Sequence, residues 1–320
     1  MTDHRGEDDD VNVTVVGAGI AGVACARALV SAGVTVRVLE RATPGGRMWA
    51  EPHGGRPVDM GAGYFTVSDD RFAAVVERWR AAGLAREWTD TFAIHSPAGW
   101  STTTGPMRWA APGGLTSLVV DLANGLDVLS WHEVSRVEPG PLVDGEPADA
   151  VVLAMPGPEA VRVLSPKLVE TLAVARSQEW LPSVVATYEF AERNWDFQGG
   201  AFVNDHPVLT TLFDDGSRRG DGAPVLVAHS TAEAADRFTT NAVAASRELE
   251  TAVRELLNLP EGPESSDAWR WDFARPATPG DRPFHFGPER VGLAGDAWGT
   301  PKVETAWLSG TTLAEAILKS

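Results

Sequence analysis

The stretch Val11–Glu40, VNVTVVGAGIAGVACARALVSAGVTVRVLE, constrains this chain more than any other. Its apolar run Val11–Val16 reads as a buried strand. Gly17, Gly19 and Gly22 then form G-x-G-x-x-G, an alanine-rich segment follows, and a second β-branched run, Val34–Leu39, ends in Glu40. Each part has a physical use in holding a dinucleotide. Gly17 permits a tight turn, Gly19 lets a pyrophosphate approach the backbone, and Gly22 lets helix and strand pack closely. Ile20 and Ala21 open the helix, whose free N–H groups and partial positive charge suit phosphates. Glu40 is placed to accept hydrogen bonds from ribose hydroxyls. A glycine turn alone would equally suit an ordinary α/β protein. The coincidence of strand, turn, helix, second strand and acid singles out a dinucleotide site.

The chain of 320 residues is long enough for one large or two modest domains, and 43% hydrophobic with 22% charged residues is ordinary for a globular protein. The net charge of −17 argues against a nucleic-acid or anionic-membrane partner. A single cysteine, Cys25, excludes internal disulfides and a cysteine-rich metal site. The polar, acidic start MTDHRGEDDD lacks the apolar core of a signal peptide, and no apolar run reaches membrane-spanning length. Residues 1–10 are expected to be a disordered tail and the protein to be cytoplasmic. Its seven histidines are scattered, so no metal is assigned.

Beyond the opening unit, Arg41-Ala-Thr-Pro-Gly-Gly46-Arg47-Met48 makes a loop able to lie against a ligand, with Arg47 a permanent cation near the expected phosphates. Val58-Asp59-Met60-Gly61-Ala62-Gly63-Tyr64-Phe65 is a short strand running into a second glycine turn. Periodicity predicts an amphipathic helix from residue 69 with a stop at Ala81-Ala82-Gly83, another over 241–257, and a last one over Val303–Lys319. Short strands are expected over Thr91–Trp100 and Thr102–Trp109, with turns at Pro97–Gly99 and Gly105-Pro106. Leu126–Val137 and Ala150–Met155 read as strands, the latter central. Four runs between Val184 and His229 read as strands of a second, antiparallel sheet. The alternation Trp269-Arg270-Trp271 suits either a ligand-facing strand or an ordinary packed face. Arg290–Gly299 carries a strand that breaks at Gly295-Asp296 just before the last helix.

E-R-x-x-x-G-G-R followed by D-x-G-A-x-Y-F resembles the way flavin amine oxidases and the smaller renalase-like oxidoreductases extend a Rossmann fingerprint. Trp109–Leu118, Ala148–Pro156, Trp269–Pro276 and Val291–Gly310 add further matches, so the resemblance runs the length of the chain. It implies an α/β (α+β overall) fold of the p-hydroxybenzoate-hydroxylase type, with a Rossmann-like FAD-binding domain and an inserted antiparallel-sheet substrate domain. The expected division is residues 11–66, 110–160 and 288–320 for FAD, and 67–109 and 161–287 for substrate. FAD would be held without a covalent link, with Val134 near the adenine and Asp296 on the ribityl or pyrophosphate side. Val303, Glu304 and Thr305 would open a helix whose N-terminus points at N1 and C2=O of the isoalloxazine.

No Ser-His-Asp order, H-E-x-x-H, Walker loop or carboxylate pair stands out, which suits an enzyme whose cofactor carries the electron chemistry. Hydride transfer to flavin N5 is then the simplest expectation. The resemblance implies oxidation of 2- and 6-dihydro isomers of NAD(P)H to NAD(P)+, with O2 giving H2O2. A small-amine oxidase or desaturase on the same scaffold is the alternative, and a flavin-binding sensor the non-enzymatic one. An NAD-dependent dehydrogenase is disfavoured, since it needs no ring-facing C-terminal helix. Membrane amine oxidases place paired tyrosines beside the flavin, and this chain has only Tyr64 and Tyr188, which speaks against ordinary amine oxidation. Trp298, Trp271 and Tyr64 are the substrate-side candidates.

Overall fold

A computed structural model describes residues 11–197, 199–239 and 241–320; the expected tail 1–10 lies outside the described residues. The first sheet has six strands in the spatial order His285–Phe286, Val291–Leu293, Ala150–Leu153, Asn12–Val16, Thr35–Leu39, Asp127–Leu129. All its pairings are parallel except the outermost, between His285–Phe286 and Val291–Leu293. Val13, Val15, Ala150, Val151, Val152 and Leu153 are fully buried because helices cover both faces, which is why these strands are apolar without alternation. The helices Ile20–Ser31 and Val303–Ile317 lie in near backbone contact. A Cβ on Gly310 would stand 1.9 Å from the Ala21 carbonyl oxygen, and one on Gly22 would stand 2.0 Å from that of Gly17.

The second sheet has seven strands in the order Ser265–Pro276, Trp180–Glu189, Val225–Ser230, Leu209–Asp214, Gly200–Val203, Arg86–Ser96, Gly99–Ala110. It is antiparallel except where Gly200–Val203 meets Arg86–Ser96. That junction joins two separate chain segments, so no hairpin dictates its direction. The helix Ala242–Leu257 packs Leu249, Ala252 and Val253 into the core on one face, beside Val184, Ala186 and Tyr188. The opposite face meets Val58 and Met60 at the end of the hairpin Ala50–His53/Arg56–Asp59.

Two local differences from sequence expectation have identifiable causes. Gly105-Pro106 does not turn: Gly99–Ala110 runs on as one strand, and its register slips so that Thr89 faces Arg108 but Thr91 faces Thr104. Proline has no N–H to give a ladder, and a bulge on the sheet's outermost strand tolerates it. The strand expected from Leu126 stops at Leu129, because Trp131 and His132 donate their N–H groups to Ala42 and Glu40 instead. Between two strands of the second sheet, Asp215–Arg219 forms a short helix with Asp215, Arg218 and Arg219 buried. By contrast the helix Asp70–Ala81 forms as its periodicity predicts, capped by Asp69, and its buried Phe72, Val75, Val76 and Trp79 join the core of the first sheet.

Candidate active site

The opening glycine turn is built to leave one face open. The helix Ile20–Ser31 has Gly19 at its N-cap with no side-chain cap and no acid in its first turn, so its leading N–H groups have no anionic partner from the chain. A Cβ on Gly19 would find its nearest neighbour, the Gly46 Cα, at 3.9 Å, whereas one on Gly17 would lie 2.7 Å from the Ala154 carbonyl oxygen. Glu40 is buried, and its carboxylate accepts from Ala18 N at 2.7 Å and Ala42 N at 2.9 Å. Two N–H groups thus fix the carboxylate, and its remaining lone pairs stay available to hydroxyl donors. This donor and acceptor set fits the adenosine and pyrophosphate of a dinucleotide.

The second loop rests on the first: Gly45 N donates to the Ala18 carbonyl at 3.0 Å, and Gly46 faces Gly19. Arg41 is exposed and pairs with Glu159 at 2.9 Å, while Met48 is buried. Arg47 forms a two-pronged pair with Asp296, Nη1 to Oδ2 at 2.9 Å and Nη2 to Oδ1 at 2.5 Å. It also donates to the Ala274 carbonyl at 3.1 Å and stacks over Trp180, which ties the first domain to the edge strand of the second sheet. The sequence placed Arg47 and Asp296 separately around a cofactor; the fold pairs them. Gly295 is open, with nothing within 4 Å of an added Cβ, but Gly61 and Gly63 are not. A Cβ on Gly61 would meet the Arg47 carbonyl oxygen at 2.1 Å, and one on Gly63 the Phe213 ring at 2.4 Å. These two glycines are required by packing, and Ala62 N is already given to the Arg47 carbonyl at 2.8 Å.

At the last helix, Val303 is buried and Thr305 Oγ1 donates to the Thr300 carbonyl at 2.6 Å. The Glu304 side chain turns away toward the helix Asp70–Ala81, accepting from Ser68 N at 2.6 Å and Asp69 N at 2.8 Å. Burial alone would raise its carboxyl; those bonds and Lys302 outweigh it and hold the group below the usual carboxylate range. Val134 is buried in the cluster around Leu39 and Val16.

The face of the second sheet turned toward the first domain carries a row of side chains in register: Trp269, Val185, His229, Thr211 and Phe202. Trp271 and Ser183 pair one step along on the same face. Trp271 Nε1 donates to the Met60 carbonyl at 2.6 Å, and Trp49 closes edge-on against Trp269 and Trp271. Tyr64 joins this wall at its other end, edge-on to Phe92 and Phe213. Trp271 and Tyr64 therefore come to one wall. Trp298 belongs to a different cluster, that of Leu153 and Leu293 beneath the first sheet. Tyr188 faces the opposite side of the second sheet, its hydroxyl donating to the Ser246 carbonyl at 2.6 Å. His229 went unremarked in the sequence. Its Nε2 is enclosed without a partner while the ring rim stays accessible, and burial, with the Arg218 charge adding to it, pushes its pKa down to about 3.

Beneath this wall lies a buried ion cluster that joins the domains. Arg218 Nε donates to Asp215 Oδ1 at 2.8 Å and its Nη1 to the Gly63 carbonyl at 2.9 Å. Arg219 Nη2 stands 2.5 Å from Asp59 Oδ2, an ion pair whose angles fall short of a hydrogen bond. Arg56 reaches Asp215 Oδ2 at 2.6 Å, and Asp59 Oδ1 accepts from Leu115 N at 2.7 Å. Burial would raise the Asp215 carboxyl; Arg218, Arg219 and Arg56 together hold it below its ordinary value. The one available sequence signal was Asp215 with arginines three and four residues on, the spacing of a helical ion pair. Among the described residues no group of three or more His, Cys, Asp or Glu side chains could hold a metal, and no helix is long and apolar enough to cross a membrane. The thiol of Cys25 is sealed in the core and pushed up to about 12 by burial.

A largely parallel sheet with an uncapped glycine-turn helix, facing a second sheet across an aromatic wall, is the arrangement of a dinucleotide-binding protein. The chain belongs to the family of flavin-containing amine oxidoreductases, whose profile matches residues 82–318, while that of an NAD(P)-binding Rossmann-like domain matches residues 15–79. FAD is therefore the dinucleotide, and the protein is an FAD-dependent oxidoreductase. Among curated relatives, putrescine oxidase of Kocuria rosea is 40% identical over 82 residues, 24% of this chain and 17% of that one. The curated relatives it matches are covered over only 8% to 17% of their own length. Among solved structures, cyclohexylamine oxidase from Brevibacterium oxydans IH-35A superposes with a TM-score of 0.72 at 16% identity, covering 97% of this chain and 99% of that one. Reduced UDP-galactopyranose mutase gives 0.77 at 11% identity, covering 97% and 94%. At these identities the structures establish a shared fold alone.

Proposed function

We propose that the protein oxidises a small nitrogen compound at a C–H bond adjacent to nitrogen, with a dihydronicotinamide isomer (2- or 6-dihydro NAD(P)H) as the preferred substrate and NAD(P)+ the product. The observation that carries this reading is the wall itself: the edge-on indoles of Trp49, Trp269 and Trp271, the latter two on a strand whose Ala274 carbonyl accepts from Arg47 of the Arg47–Asp296 pair. Planar rings stack well on such surfaces. Only one tyrosine, Tyr64, reaches the wall, so it has no tyrosine pair. Bound FAD supplies the two-electron acceptor, and O2 takes the electrons on, giving H2O2.

The chain's own residues hold and orient the partners. Gly17–Gly22 with Ile20 and Ala21, Glu40, Arg41 and Val134 serve the adenosine and pyrophosphate end. Gly46, Arg47, Met48, Gly295 and Asp296 serve the middle, and Tyr64 with the main-chain N–H groups of Val303–Thr305 the ring end, where Gly61, Ala62 and Gly63 act by packing the turn that carries Tyr64. Ser183, His229 and Thr211 are the polar groups on the wall able to orient a substrate by hydrogen bonds. A small amine is the second reading, supported by the family to which the chain belongs. The test is the visible spectrum of the purified protein, followed by anaerobic bleaching. Bleaching by dihydronicotinamide isomers and not by amines is expected. Bleaching by amines alone would move the assignment to the second reading, and no flavin absorbance after FAD reconstitution would sink both.

A further inference from the structure

The wall described above contains one charge that the fold leaves uncompensated. Arg108, on the bulged outer strand, is 6% exposed, and its guanidinium carbon stands 3.9 Å from the centre of the Phe92 ring, 5.5 Å from Tyr64 and 5.9 Å from Phe202. Nη1 donates to the Asp90 carbonyl at 2.8 Å, while Nε is enclosed with no hydrogen-bond partner. Among the described residues no carboxylate comes within the 4.0 Å of an ion pair. A buried charge without a partner is costly, and ring faces return only part of that cost, about 2 kcal/mol when desolvated. A guanidinium held flat among rings, with a free donor, is the standard recognition group for carboxylates and phosphates.

We propose that Arg108 is the anion-binding residue of the substrate pocket, so that the substrate carries a carboxylate or phosphate. This rests on the reading that substrate occupies the wall of the second sheet, and it narrows that reading. A dihydronicotinamide carries phosphates through its nucleotide, and an amine accepted here would be an amino acid or another carboxylated amine. A polycationic alkylamine would meet a fixed like charge beside Tyr64 and is excluded. The bland alternative, that Arg108 only plugs the strand bulge through the Asp90 carbonyl, predicts no ligand dependence.

The test is titration of the FAD-loaded protein with inorganic phosphate and, separately, with benzoate, followed by flavin absorbance and tryptophan fluorescence. Loading the cofactor first keeps the probes out of its own phosphate site. At least one probe is expected to bind wild type at millimolar concentration and the Arg108→Gln variant about 10- to 100-fold more weakly; which probe binds tells carboxylate from phosphate. Arg108→Lys, which keeps the charge, should recover part of the binding and guards against a folding defect in the glutamine variant. Binding of neither probe to wild type, or equal binding to wild type and Arg108→Gln, would overturn the proposal. The substrate reading fails separately: absence of bleaching by any nitrogen compound would remove it, while Arg108-dependent probe binding would leave the anion site standing. If bleaching does occur, Arg108→Gln should raise KM about 10- to 100-fold for an anionic substrate with kcat much less affected.

Discussion

Arg218 and Arg108 are both withdrawn from water and both sit over a phenylalanine ring, Arg218 over Phe213 at 5.4 Å and Arg108 over Phe92 at 3.9 Å. Their partners differ entirely. Around Arg218 the arginines each have a carboxylate: Asp215 bonds it directly, Arg219 pairs with Asp59, and Arg56 completes Asp215. Around Arg108 only a backbone carbonyl answers. A compensated buried cluster spends its charges on holding elements together, here the short helix of the second domain against Asp59 and Gly63 of the first. An uncompensated one retains its charge for something that is not part of the chain. The contrast separates a joint from a binding group by bookkeeping of charge rather than by position, since both lie against the same aromatic wall.

The largest test of this contrast is removal of a carboxylate from the compensated cluster. Asp215→Ala leaves Arg218 with only the more distant Asp59, at 3.8 Å, and Arg56 with only Asp221, and loss of one partner from such a buried pair costs about 3–5 kcal/mol. A correspondingly lower midpoint in urea unfolding is expected, with the slope unchanged. A loss below about 1 kcal/mol would show that the cluster is hydrated or rearranges, and the distinction from Arg108 would collapse.

A smaller effect comes from His229, which lies on the wall edge-on to Phe213 and senses Arg218. Its folded pKa, about 3, lies below the ordinary histidine value, so between those values the unfolded chain binds the extra proton. Stability therefore rises with pH through that window, and falls as pH is lowered from about 6.5 toward 3, by at most about 1.4 kcal/mol per pH unit for this one group. Carboxylates such as Asp215 and Glu304, with depressed pKa values, add a loss of the same sign at lower pH. The two are separated by Glu/Asp-independent comparison: His229→Gln should flatten the difference in thermal unfolding between pH 6.5 and 5.5, where carboxylates hardly titrate. An unchanged difference would mean that His229 is protonated in the folded protein and paired in a way its enclosed Nε2 does not show.

How much of this was open to reading from the chain follows from the range of each interaction. Gly17–Glu40 is legible because strand, turn, helix and acid are neighbours in sequence and their spacing is their geometry. The helices Asp70–Ala81 and Ala242–Leu257 are legible for the same reason, through a repeat of about 3.6 residues. The substrate wall is not. Its row Trp269–Val185–His229–Thr211–Phe202 comes from four separate strand pairings, and a one-residue slip in any of them would send a member of the row to the other face. Arg47 and Asp296 could each be placed near a cofactor, but a pair spanning 249 positions is a product of the tertiary fold. Glu304 could be placed in the first turn of its helix, while its bonds to Ser68 and Asp69 depend on how two distant helices meet. Arg108 was visible only as one residue of the strand expected over Thr102–Trp109, since burial and the lack of an acid nearby are properties of the folded state.

The smallest expected effect is the most telling for the comparison. Replacing Arg108 by methionine keeps the stem that packs on Phe92 and removes the charge. It gives up one hydrogen bond to the Asp90 carbonyl, worth about 1–3 kcal/mol when a charged donor is involved, and some attraction to the rings. It also removes the cost of burying an unpaired guanidinium, which is of similar or larger size. The two nearly cancel, so unfolding free energy should change by less than about 1 kcal/mol in either direction, against the loss of several expected for Asp215→Ala. Urea unfolding of both variants beside wild type decides the matter. A penalty above about 3 kcal/mol for Arg108→Met would mean that the guanidinium holds the strand bulge together as Arg218 holds the domain joint, and the charge left over on the wall would then be a structural one.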